Sequence, residues 1–120
     1  MKKNMQWTDI WRKPFKYDRY GYIWDRDNVM TFTVDDLTKE NDRQMEELCS
    51  SIVAALNGDV VQKKYRGLFI KDGCDLYLDG QMVGYFRGWG HLTGGLKMNS
   101  NQAAQVQDQL IRFVLDNISE

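Results

Sequence analysis

Apolar and polar residues alternate along two early segments of the chain. Residues 20–25 read YGYIWD, which is rich in strand-forming aromatic residues, and residues 28–34 read NVMTFTV, in which Met, Phe and Val alternate with Thr. Alternation with a period of two is typical of a strand with one buried face. The short polar turn DRDN joins the two segments, so the pattern predicts an antiparallel hairpin.

Two later segments repeat their apolar residues at the spacing of a helix. The first begins near Asn41, with Gln44 as its capping-box partner, and ends at Gly58, because glycine adopts the left-handed conformation of a helix end. The second begins at Asn99 or Ser100. Both segments place their apolar side chains on one face. The predicted buried stripes are Met45, Leu48, Ile52, Val53 and Leu56 in the first, and Ala103, Val106, Leu110, Phe113, Val114 and Ile118 in the second.

Three strands are expected between these helices. The first covers residues 68–71, and the other two flank Asp79-Gly80, a strong signal for a two-residue hairpin turn because both turn positions need positive φ. Counting outward from this turn gives the pairing of the strands. The expected pairs are Leu78 with Gln81, Leu76 with Val83 and Cys74 with Tyr85 on one side, and Tyr77 with Met82 and Asp75 with Gly84 on the other.

The resulting order is β-β-α-β-β-β-α. Hairpin strands combined with helices predict an α+β fold, here an antiparallel sheet of about five strands with two helices on one face. The 120 residues fit one domain, 1–120, in which residues 1–19 are expected to form an irregular, aromatic-rich N-terminal arm.

The expected register leaves the second face of the sheet aromatic. A face of this kind needs a cover, which could be the N-terminal arm, a second copy of the chain or a different partner. The side chains expected there are Tyr22, Trp24, Tyr77, Met82 and Phe86.

The charge of the chain gives little support to nucleic-acid binding. Its 16 Lys and Arg and 17 Asp and Glu residues leave a net charge of −1, whereas nucleic-acid-binding domains usually carry a basic excess. One local basic run has aromatic neighbours, a combination that suits single-stranded nucleic acid. It contains Arg12, Lys13, Lys16 and Arg19, interleaved with Phe15, Tyr17 and Tyr20. Because nearby aspartates dilute the run, a nucleic-acid partner is disfavoured and stays an alternative.

Targeting signals are also missing from the pattern. No apolar stretch of signal-peptide or membrane-span length occurs, so we expect a cytoplasmic protein without a membrane partner. The two cysteines, Cys49 and Cys74, do not form a disulfide framework and are interpreted as small apolar residues with reduced thiols.

The segment FRGWGHLTGG, residues 86–95, contains four glycines and the single histidine. Gly90 and Gly95 have the spacing of a phosphate-binding loop, but Leu96 stands where that motif needs lysine. The glycine spacing does not fit a dinucleotide-binding motif either, so no cofactor is expected. A long loop over residues 87–98 is a candidate recognition site by its position.

Residues suited to catalysis are few. The lone His91 cannot form a multi-histidine metal site, although a nucleophile pair with Cys74 is conceivable chemistry. Most aspartates fall at turns, where their side chains bond to nearby backbone. We therefore predict no catalytic residue and no metal ligand. A small enzyme that uses His91 with Cys74 or an aspartate is kept as an alternative.

Four stretches carry a resemblance to a known group of proteins. YGYIWDRDNVMTF, SIVAALNG, RGWGHLTG and AAQVQDQLIRFVLDNI span most of residues 20–118. They resemble small proteins of unknown activity that are encoded by tailed phages and prophages of bacteria. The resemblance implies a phage or prophage origin and a role in the cytoplasm of the infected cell, and it brings no catalytic residue with it.

These observations favour a non-enzymatic protein-interaction module that binds a host protein. The alternatives are a nucleic-acid-binding module that uses the N-terminal arm and a small enzyme that uses His91, and a homodimer is left open. The expected binding residues are Arg87, Trp89, His91 and Thr93 in the loop, and Tyr22, Trp24, Tyr77 and Phe86 on the second face.

Overall fold

A computed structural model of the chain describes residues 5–34 and 43–120. The strands are β1 (Lys16–Tyr17), β2 (Tyr22–Trp24), β3 (Met30–Val34), β4 (Leu68–Lys71), β5 (Asp75–Leu78) and β6 (Gln81–Phe86). The helices are α1 (Arg43–Leu56) and α2 (Ser100–Ile118), with a 3-10 turn at Trp7–Asp9 and a π-helical turn at His91–Gly95.

The six strands form one antiparallel sheet in the order β1-β2-β3-β6-β5-β4. The predicted α+β class and the order of the predicted elements are confirmed. The sheet has one strand more than expected, because Lys16 and Tyr17 leave the predicted irregular arm and pair with Trp24 and Ile23.

The predicted turns and helix ends agree with the structure wherever it describes them. Asp79 and Gly80 both have positive φ, 53° and 80°, as the two-residue hairpin requires. Gly58 ends α1 with a φ of 79°. Asn99 caps α2, and Gln102 completes a reciprocal capping box with it. The N-cap predicted for α1, Asn41, lies outside the described residues.

A bulge in β6 changes the expected register. Leu78 pairs with Gln81 and Tyr77 with Met82, as predicted, but Leu76 then pairs with Gly84 and Asp75 with Tyr85. The extra residue is Val83. The pairs predicted for Cys74 with Tyr85, Leu76 with Val83 and Asp75 with Gly84 are therefore wrong.

The bulge decides which aromatic side chain points to which face. Val83 and Gly84 both lie on the buried side, so the alternation reverses beyond them. Phe86 consequently enters the core, where it is 4% exposed, and its predicted place on the second face is wrong. Tyr85 takes the opposite face, half-buried.

The described part of the N-terminal arm belongs to the core on the helix side of the sheet. Trp7, Trp11 and Phe15 are all buried. The ring of Trp11 meets Phe86 edge-on, with 5.8 Å between the centroids. Phe15 is tied to the end of α1, because the Asn57 side chain accepts from its N–H at 2.6 Å and donates to its carbonyl oxygen at 3.1 Å. Trp7, Trp11 and Phe15 therefore do not cover the second face.

Candidate functional site: the open face

The face of the sheet opposite the helices carries aromatic and charged side chains, and we call it the open face. Two rows of residues, each paired across neighbouring strands, define the open face. The residues of the first row are Tyr22, Thr33, Tyr85, Asp75 and Lys71, and those of the second are Met82, Tyr77 and Phe69. Two further residues complete the open face. Trp24 is paired with Lys16 and Met30, and Arg87 lies two residues beyond Tyr85.

Apolar side chains are accessible on this face. Phe69 is 44% exposed and Met82 is 43% exposed. Tyr22, Trp24 and Tyr77 are half-buried by their neighbours on the sheet. Three of the four second-face residues proposed as binding residues from the sequence therefore lie on the open face, and Phe86 does not.

Arg87 is the centre of one cluster on the open face. Its guanidinium carbon lies 5.7 Å from the ring centroid of Tyr22 and 5.6 Å from that of Tyr85. Cation–π contact with two rings restricts the position of the guanidinium. The Tyr22 ring also meets Trp24 edge-on at 6.2 Å.

Lys71 and Phe69 form a second cluster with Tyr77. The ammonium of Lys71 lies 5.4 Å from the centroid of the Tyr77 ring, and Phe69 stacks on that ring at 5.3 Å. The two clusters lie on adjacent strands, since Tyr85 belongs to β6 and Tyr77 to β5. Tyr85, Phe69 and Lys71 were not predicted to lie on this face, because their placement depends on the bulge at Val83 and on the pairing of β4 with β5.

The cations of the two clusters form no ion pair with the described residues, although Asp75 is paired with Lys71 across β4 and β5. The ion pairs within residues 5–34 and 43–120 use Arg26, Lys64, Arg66 and Arg112. Carboxylates near the open face bond elsewhere: Asp18 accepts from the N–H groups of Tyr20 and Tyr22 and from Nε1 of Trp24. The thiol of Cys74 donates to Oδ1 of Asp75 at 3.5 Å.

The loop predicted over residues 87–98 contains a regular turn. The N–H of Leu96 donates to the carbonyl oxygen of His91 at 2.8 Å, which is the five-residue spacing of a π-helix. The hydroxyl of Thr93 donates to the carbonyl oxygen of Trp89 at 2.9 Å. Trp89 is 40% exposed, so it remains an accessible candidate for binding.

The glycine at the start of the loop serves packing. A Cβ on Gly88 would collide with the rings of Phe86 and Trp11. The ring of His91 lies on the same side, 6.5 Å from the Trp11 ring. Of the loop residues proposed from the sequence, Arg87 thus contacts the open face, whereas His91 contacts the helix side.

The geometry around Cys74 offers no nucleophile pair with His91. No hydrogen bond joins His91 to Cys74 or to a carboxylate in the described part of the chain. Burial raises the pKa of the Cys74 thiol, and the hydrogen bond and negative charge of Asp75 raise that pKa further. A raised pKa lowers the thiolate fraction near neutral pH, so this thiol is a poor nucleophile.

Residues 5–34 and 43–120 contain no cluster of three or more His, Cys, Asp or Glu side chains that could hold a metal ion. Within these ranges there is also no helix with the length and apolar character needed to cross a bilayer.

Comparison with known proteins adds no family to this picture. No protein-family model matches the chain, and no curated protein or solved structure is significantly similar to it.

Proposed function

We propose that this chain is a non-enzymatic protein-interaction module and that the open face is its binding surface. The observation that carries the proposal is the accessibility of two apolar side chains on the same face of the sheet, with Phe69 44% and Met82 43% exposed. Exposed apolar side chains grouped on one face, next to charged groups, are typical of protein-binding surfaces. The arm and both helices pack on the other side of the sheet.

The partner in this proposal is a protein of the bacterial host, and the complex forms in the cytoplasm. This part rests on the resemblance of the sequence to small phage and prophage proteins. The identity of the partner does not depend on the geometry of the open face, so the partner and the binding surface can be tested separately.

The burial of the arm favours a protein partner over the nucleic-acid alternative. Stacking of bases needs accessible rings. Among the rings of the basic run, Phe15 is buried and Tyr17 is half-buried, which leaves Tyr20 at 43% exposure. A single exposed ring is a small stacking surface.

The test is capture of a partner from a bacterial lysate by immobilised chain, with matched variants. Phe69→Asp and Met82→Asp put a charge in the open face, and Val60→Asp puts the same charge at a fully exposed position outside it. We expect the wild-type chain and Val60→Asp to retain the same protein, and both open-face variants to lose it. The proposal is contradicted if all variants retain the captured protein, or if only Val60→Asp loses it. Circular dichroism of each variant checks that the fold is intact.

A further inference from the structure

The two edge strands of the sheet differ in length and in what lies beside them. β1, at one edge, has two residues, and the backbone of Phe15 just before it bonds to the Asn57 side chain. β4, at the other edge, has four residues, LFIK, and pairs with β5 without a bulge. Proteins usually blunt an edge strand with a bulge, a proline or an outward charge. The ammonium of Lys71 lies over the Tyr77 ring, so the charge of β4 is held toward β5.

The hairpin between β5 and β6 determines which backbone groups of β4 point to the free edge. In a two-residue turn with positive φ at both positions, the flanking residues form a hydrogen-bonded pair. Leu78 therefore bonds to β6, and its neighbour Tyr77 bonds to Phe69 of β4. By alternation, the N–H and C=O groups of Leu68 and Ile70 point outward, and residues 5–34 and 43–120 offer these groups no hydrogen-bond partner.

We propose that the free edge of β4 pairs with the β4 edge of a second copy of the chain, in an antiparallel, two-fold dimer. In one register Leu68 of each copy bonds to Ile70 of the other, which pairs all the outward groups of both strands. A shift of two residues in either direction keeps only one such pair within β4. Phe69 then lies opposite Phe69 of the second copy as a non-hydrogen-bonded pair, the type in which facing side chains are closest.

The charges at the ends of β4 are compatible with this register. Lys71 lies opposite Gly67, which has no side chain, so the two copies of Lys71 are separated by about 13 Å along the strands. Arg66, whose guanidinium has several N–H donors and contacts Glu120 of its own copy, lies opposite Asp72. No two like charges therefore face each other directly across the paired edges.

The length of the free edge also matches one β4 strand. Before β4, the edge is occupied at Tyr65, whose N–H donates to the carbonyl oxygen of Ile118 and whose carbonyl oxygen accepts from the N–H of Glu120, both at 3.1 Å. After β4, the chain turns away at Asp72-Gly73, where φ is 55° and 78°. In the proposed register the turn of each copy lies beside Tyr65 of the other, so the pairing ends where the free edge ends.

This dimer joins the two open faces on one side of a continuous sheet, because the two-fold axis of edge pairing is perpendicular to the sheet. Phe69 lies at that axis, whereas Met82 lies on β6, away from the edge. The inference goes beyond the proposed function, since it concerns the edge of the sheet and a second copy of the chain.

The experiment measures the solution mass of the full chain by light scattering, at concentrations up to about 1 mM because a single strand pair is a small interface. The variants are Phe69→Lys and Phe69→Glu, and the matched control is Met82→Lys, at an equally exposed position on the same face. We expect the mass of the wild-type chain and of Met82→Lys to rise from one chain toward two. Either Phe69 variant alone should associate at least about tenfold more weakly, because like charges then meet at the axis.

An equimolar mixture of Phe69→Lys and Phe69→Glu is the sharpest arm of the experiment. The dimer should return in the mixture, because opposite charges then face each other at the two-fold position. Circular dichroism checks that each variant is folded.

Three results overturn the inference. The first is a wild-type mass of one chain at every concentration. The second is equal weakening by Met82→Lys and Phe69→Lys, which indicates that the faces pack on each other. The third is a mixture that associates no better than either Phe69 variant alone. Failure of the proposed function is distinct, because a chain that dimerises through β4 but captures no host protein contradicts only that proposal.

Discussion

The ring of Trp7 packs against that of Phe113 on α2, with 4.9 Å between the centroids and an angle of 47° between the planes. The backbone N–H of Trp7 also donates to Oε1 of Gln109 at 2.6 Å. These contacts fix the N-terminal arm on the helix side of the molecule. They make the arm a part of the hydrophobic core, and they leave the opposite face of the sheet open.

Trp7→Ala is therefore expected to destabilise the whole domain. Trp7 is 7% exposed, and truncation of a buried tryptophan typically lowers the free energy of unfolding by about 3 kcal/mol or more. Urea denaturation followed by circular dichroism measures the loss. Trp89→Ala is the matched control because Trp89 is 40% exposed, and a much smaller effect is expected there. Equal losses for the two variants would mean that the arm is not part of the core.

Deletion of residues 1–18 extends the same argument. It removes three buried rings, those of Trp7, Trp11 and Phe15. We expect the truncated chain to lose its cooperative unfolding transition and to aggregate, which light scattering detects. A folded, monomeric truncated chain contradicts this account of the arm.

The β6 bulge predicts opposite outcomes for two glycine substitutions. A Cβ on Gly84 would collide with the carbonyl oxygen of Thr33 on β3, whereas a Cβ on Gly90 meets no atom within 4 Å. Gly90 also has a helical φ of −62°. Gly84→Ala should lower the free energy of unfolding by about 1–3 kcal/mol. Gly90→Ala should be neutral or stabilise by up to about 1 kcal/mol. Thermal unfolding of both variants checks the contrast, which fails if Gly84→Ala is tolerated as well as Gly90→Ala.

The same bulge shows which part of the site could be derived from the sequence. Turns and helix ends are encoded locally: Asp79-Gly80, Gly58 and the Asn99 cap each follow from the chemistry of one or two residues. The bulge depends on the close approach of Gly84 to the neighbouring strand β3, which is far away in sequence. Simple alternation therefore placed Phe86 and Tyr85 on the wrong faces.

The location of the arm could not be derived from the sequence for a similar reason. The sequence pattern made the arm one possible cover of the second face, but the rings of Trp7, Trp11 and Phe15 lie on the helix side. The choice depends on contacts with Phe113 and Asn57, which are about 100 and 42 residues away along the chain. Tyr22, Trp24 and Tyr77 were assigned to the correct face because their strands have regular alternation up to those positions.

The Cys74 thiol should react slowly and become more reactive when Asp75 is replaced. Burial and Asp75 both hold its pKa above the ordinary value for cysteine. Asp75→Asn removes the negative charge, so the pH profile of iodoacetamide alkylation at Cys74 should shift to lower pH. Asp108→Asn, on α2 and paired with Arg112, is the control and should leave the profile unchanged. Identical profiles for the wild-type chain and Asp75→Asn would mean that Asp75 does not raise the pKa of Cys74.

The raised pKa also has a consequence for stability. The folded state holds the Cys74 proton more tightly than the unfolded chain does, so the associated stability is fully present below the ordinary cysteine pKa of about 8.5. It is lost as the pH rises from that value through the folded-state pKa. In Cys74→Ser this alkaline loss should be smaller, and urea midpoints measured across the alkaline range test it.

Photo-crosslinking tests the central claim most directly. A benzophenone-bearing phenylalanine replaces Phe69 on the open face in one chain and Val60, which is fully exposed elsewhere, in another. After irradiation in bacterial cells, we predict a protein adduct of defined mass at position 69 and no such adduct at position 60. Equal crosslinking at both positions, or an adduct with nucleic acid at position 69, would contradict the account.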